Sequence, residues 1–86
     1  MSQMTIEDLT QRVQAVLDRS PLSHRVKGVA IEPVDFDDDE VLRVTIKVSK
    51  PDSVKTEEAL LLLQNIHDEL SELDDRFPSV RFAEAA

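Results

Sequence analysis

The sequence predicts an α+β fold, a two-layer α/β sandwich in the order α-β-β-α-β, with two helices on one face of a three-stranded sheet. Three observations carry this prediction. Apolar residues recur with helical spacing over residues 53–77, and a shorter helical pattern opens the chain. Between them, Leu42, Val44, Ile46 and Val48 alternate with Arg43, Thr45, Lys47 and Ser49, the period of a half-buried strand. Pro21 and Pro78 punctuate the pattern where helices should stop.

Residues 1–4 are expected to fray. Thr5 is a candidate N-cap, with Asp8 three residues on in an approximate capping box. Ile6, Leu9, Val13, Val16 and Leu17 mark one face of a first helix over about 6–19, ended by Ser20 and Pro21. Leu22 is positioned to fold back over its last turn. The first strand spans about 26–34, with Val29 and Ile31 on one face and Ala30 and Glu32 on the other. Gly28, the only glycine, marks a bulge or a close backbone approach. Pro33 cannot donate to a ladder and suggests an edge position or the end of regular pairing.

Asp35, Phe36, Asp37, Asp38, Asp39 and Glu40 connect this strand to the next. A calcium loop of the EF-hand kind needs a turn glycine, ligands spread over about twelve positions and flanking helices. This stretch has none of these, so a solvated hairpin turn is the preferred reading. The long helix follows. Ala59, Leu62, Leu63, Ile66, Leu70, Leu73 and Phe77 fall on one face of it. Asp52, Ser53 and Thr56 are candidate caps, and Pro78 should end the helix at or before Phe77. A third strand over 79–83 points Val80 and Phe82 inward. Its preferred place is parallel to the first strand, through a right-handed crossover.

The chain has 86 residues, enough for one small domain with a modest core. The absence of cysteine excludes disulfides and thiolate-bound metal, and fits a reducing, cytoplasmic setting. No apolar run is long enough for a membrane span or a secretory leader. The net charge of −8 has the wrong sign for nucleic acid or an anionic membrane surface. Three phenylalanines, without Trp or Tyr, make a poor base-stacking platform.

Nothing in the sequence points to catalysis. His24 and His67 are far apart, and no serine lies in a nucleophile elbow. No catalytic, cofactor-binding or metal-ligating residue is assigned, and no cofactor is expected. Two features fall outside the core pattern. Leu61 lies nearly opposite the apolar stripe of the long helix, while Leu60 and His67 share one flank of it. His67 reads first as a boundary histidine, ahead of a pH-sensitive contact or a metal ligand. Arg43 and Lys47 put positive charge on the wet face of the second strand, where a protein partner or a neighbour's acidic turn would find it.

The order of elements resembles small ferredoxin-like and KH-like modules, and is similar to the cytoplasmic domains of cation-diffusion transporters, which pair a short sheet with helices and dimerise. The chain lacks the GxxG clamp of a KH module and the metal-binding histidines of such a transporter domain. No site residue is therefore carried across. The reading that results is a small intracellular protein-interaction or accessory module, homodimeric or bound to a protein partner. Its interaction candidates are Leu60, Leu61, His67, Arg43 and Lys47. A small-ligand sensor is the alternative, and an enzyme with a site shared between subunits a third.

Overall fold

A computed structural model describes residues 4–50 and 54–85. The order is α1 (Ile6–Asp18), a 3-10 turn (Ser23–Arg25), β1 (Val26–Phe36), β2 (Asp39–Val48), α2 (Thr56–Leu73) and β3 (Phe77–Glu84). Both helices pack on one face of a three-stranded mixed sheet ordered β1-β2-β3, as the patterning predicts. The candidate caps Asp52 and Ser53 lie outside the described residues.

Helix α1 starts as expected. The Thr5 hydroxyl accepts the Asp8 N–H at 3.1 Å, satisfying one of the orphan donors of the first turn. Leu9, Val13, Val16 and Leu17 are buried, and Leu22 folds back into the same core. Met4 does not fray. It packs against the core, and its N–H donates to Asp74 Oδ2 at 2.9 Å.

The hairpin is antiparallel, and its loop is two residues long. Asp37 and Asp38 have φ of 54° and 68°, the two positive values of a type I′ turn. That geometry matches the right-handed strand twist, and aspartate tolerates it better than most residues. β1 therefore runs to Phe36, two residues beyond the predicted end. The register slips between Val26 and Gly28, so Gly28 does sit at a bulge. A Cβ built at Gly28 meets nothing within 4 Å, which removes the close-approach explanation.

Three expectations need correction. The N-cap of α2 is Lys55, not Thr56, and Lys55 makes no side-chain cap bond. The helix ends at Leu73, within the bound at or before Phe77, where Asp74 turns extended (φ −145°, ψ 146°), so its inward stripe does not reach Phe77. Phe77 thus leaves the inward stripe and opens β3. Finally, β3 lies parallel to β2, from Val41↔Phe77 to Val48↔Glu84, and does not adjoin β1. The physical reason lies in β2. Leu42, Val44, Ile46 and Val48 are fully buried, which requires a strand on each side and helices above. A β2-α2-β3 crossover supplies the second neighbour. β1, with Pro33, is left at the edge, the position its missing N–H tolerates.

Candidate interaction surface

The open face of the sheet is best built from the point that fixes its hairpin end. Asp74, buried at the C-terminus of α2, accepts from the Arg76 N–H (3.0 Å), from Arg76 Nε (2.9 Å) and from Arg76 Nη2 (2.8 Å). Arg76 Nη2 also donates to the Met4 carbonyl at 3.0 Å, and Nη1 to Glu40 Oε1 at 3.0 Å. One aspartate and one arginine thereby tie together the start of α1, the end of α2, the start of β2 and the entry to β3. Side-chain hydrogen bonds from Arg76, against the opposing effect of burial, hold the Asp74 carboxyl down to about 2, from an ordinary 3.8. The same bonds from Asp74 raise the Arg76 guanidinium above its usual range.

This anchor sets Phe77 beside the hairpin. Phe36 and Phe77 are 71% and 62% exposed, and with Val41 they line one depression at the hairpin end of the sheet. Val34 is the cross-strand partner of Val41, and Val41 that of Phe77, so one apolar row crosses all three strands. Asp37, Asp39, Glu40 and Asp75 rim it. Two of the three phenylalanines in the chain are thus largely exposed, Phe36 on the side of the sheet away from the helices and Phe77 at the outer edge of β3, where its ring meets His67 of α2. The sequence pattern hid both. Phe36 sits among acidic residues that read as a turn, and Phe77 falls in phase with the stripe of α2. Only the i, i+2 spacing of Val34 and Phe36 signalled the first.

The other residues singled out from the sequence occupy three places. Arg43 and Lys47 are exposed on the open sheet face, with Glu32 Oε1 3.7 Å from Arg43 Nη1. Arg81 joins them from β3, where its Nε donates to Thr45 Oγ1 at 3.3 Å. His67 lies on the β3 flank of α2, half-buried, its ring edge-on to Phe77 (centroids 5.6 Å apart, 73°) and Nδ1 3.8 Å from Asp68 Oδ1. Leu60, exposed, is two helical turns before His67 on that flank. Leu61, also exposed, faces the other way, into a groove between the helices that includes Val16, Pro21 and Leu62. The structure does not bring these five residues into one site. Among the described residues no group of three or more His, Asp or Glu is placed to hold a metal ion. No described helix is long and apolar enough to cross a membrane.

No protein-family model and no curated protein matches the chain. Solved structures do resemble it. Part of a fatty acid AMP ligase from Legionella pneumophila superposes on 90% of this chain with a TM-score of 0.63 and 17% identity. The chain spans 14% of that ligase's length. A histidine-to-alanine variant of MamM-CTD, the cytoplasmic C-terminal domain of a cation-diffusion-facilitator transporter, matches over 95% of this chain and 100% of its own, with a TM-score of 0.56 and 16% identity. The copper form of another MamM-CTD variant gives the same TM-score and identity. At such identities the likeness establishes the fold alone: two helices over a three-stranded mixed sheet.

Proposed function

We propose that this chain is an intracellular protein-interaction module that self-associates and serves as an accessory or regulatory part of a larger system. The observation that carries the reading is the row of half-buried Val34 and Val41 with exposed Phe77, and exposed Phe36 beside it. A contiguous apolar patch with a polar rim is the usual mark of a surface that meets another protein. The fold match to the whole of MamM-CTD supports it, since that domain is of similar size. Arg43 and Lys47 on the sheet, Leu60 and His67 on the β3 flank, and Leu61 in the helix groove are the proposed contacts. Depressions lie between the helices and at the hairpin end, the latter lined by exposed Phe36 and Phe77, and this favours docking over a small-ligand sensor. Sedimentation velocity across a concentration series tests the reading. A reversible dimer is expected, and a strict monomer up to about 500 μM would remove self-association.

A further inference from the structure

Resting on that self-association, we propose the surface that mediates it: the open face of the sheet, docked on the same face of a second copy with strands reversed. The face is polarised in both bulk and charge. Its hairpin end carries Phe36, Val34, Val41 and Phe77 with Asp39. Its far end carries Gly28, Ala30 and Ala83, a low floor, beside Lys47 and Arg81. The Glu32–Arg43 pair lies midway.

These two halves complement each other across a two-fold axis. Let the axis lie between two stacked sheets, perpendicular to the strands and level with Glu32 and Arg43. Each strand then crosses its own copy in reverse. Phe36 and Gly28 are equally far from Glu32, so Phe36 of each copy stands over Gly28 of the other. Asp39 and Lys47 are equally far from Arg43, which sets acid over base twice. Phe77 and Arg81 are equally far from Ser79, the partner of Arg43, which brings a guanidinium level with the exposed edge of the Phe77 ring. Large residues meet small ones and the Asp39–Lys47 contacts are attractive, while Glu32 and Arg43, level with the axis, each face their own copy and are neutralised by each other within one sheet. Aligned sheets keep their strand directions within about 30° of each other, and these pairings, four residues out from the axis, belong to the small-angle end of that range. The isologous form follows from the symmetry: each contact occurs twice. A net charge of −8 on each copy opposes any contact that does not pair charge locally, and this one does.

The contact requires the absence of a side chain at Gly28. In the single copy a Cβ there enters open space, and no positive φ forbids it. Gly28→Val therefore keeps the fold, and its urea midpoint is expected to stay level or rise, since β-branched residues suit strands. It should nevertheless block Phe36 of the second copy and leave a monomer. In sedimentation equilibrium, Asp39→Lys and Lys47→Asp should each weaken the dimer at least about tenfold, because each puts like charges face to face. The double variant Asp39→Lys/Lys47→Asp should restore it. A dimer that ignores all of these changes but is lost in Leu61→Ser would overturn the sheet-face interface and leave the self-association reading standing. A wild-type monomer at about 500 μM would overturn both.

Discussion

Asp74 and Arg76 form the contact on which the hairpin end depends. The Asp74 side chain is fully buried and that of Arg76 nearly so, and their hydrogen bonds go to charged side chains or backbone groups. Removing one member leaves the other uncompensated in a dry site, a loss of about 3 kcal/mol or more. Asp74→Asn is expected to lower the urea midpoint accordingly. The pH dependence has a definite sign. The folded Asp74 carboxyl, at about 2, lies below its ordinary 3.8, so its contribution is complete above that value and is lost as pH falls toward about 2. The shift corresponds to about 2 kcal/mol, and Asp74→Asn should flatten that acid limb. Glu40, whose side chain is 42% exposed, is the control: Glu40→Gln should cost under about 1 kcal/mol. The sequence offered little sign of this pair. An Asp two residues before an Arg is common, and its burial depends on Met4 arriving from the far end of the chain.

At the scale of elements, legibility followed periodicity. α1 is legible nearly to the residue because its apolar positions repeat and its start carries capping chemistry, and β2 is legible over its alternating stretch, though it begins at Asp39 inside what reads as the acidic turn. α2 is legible in its middle, while its N-cap and the place of Phe77 are not. Lys55 at its N-cap gives no side-chain acceptor, although Glu57 and Glu58 suit the helix dipole. Lys55→Ser should therefore stabilise the protein by about 1 kcal/mol in urea unfolding. At the other end, Phe77 follows Leu73 at helical spacing, so the stripe continued on paper. A proline bounds a helix from beyond, whereas the actual stop is Asp74 turning its carboxylate to Arg76. Within α2, Ile66 is fully buried, and Ile66→Ala should cost about 2–5 kcal/mol by the same measurement.

For the whole molecule, the sheet order places stability and binding on different strands. β2 has neighbours on both sides and contributes four fully buried residues. Its amides should exchange with deuterium most slowly, through global unfolding, with those of β1 and β3 exchanging faster through fraying of their outer edges. Slower exchange in β3 than in β2 would contradict this order. The sequence alone determined the element order, the inward and outward faces and the acidic character, because each follows from local periodicity and composition. Only the tertiary structure decided which strand adjoins β3, where α2 stops, and that Phe36 and Phe77 share one exposed end. Each of those outcomes rests on pairing between residues distant in sequence: Val41 with Phe77, Asp74 with Met4, Arg76 with Glu40. A periodic pattern records which way a side chain faces, but not what comes from elsewhere in the chain to meet it.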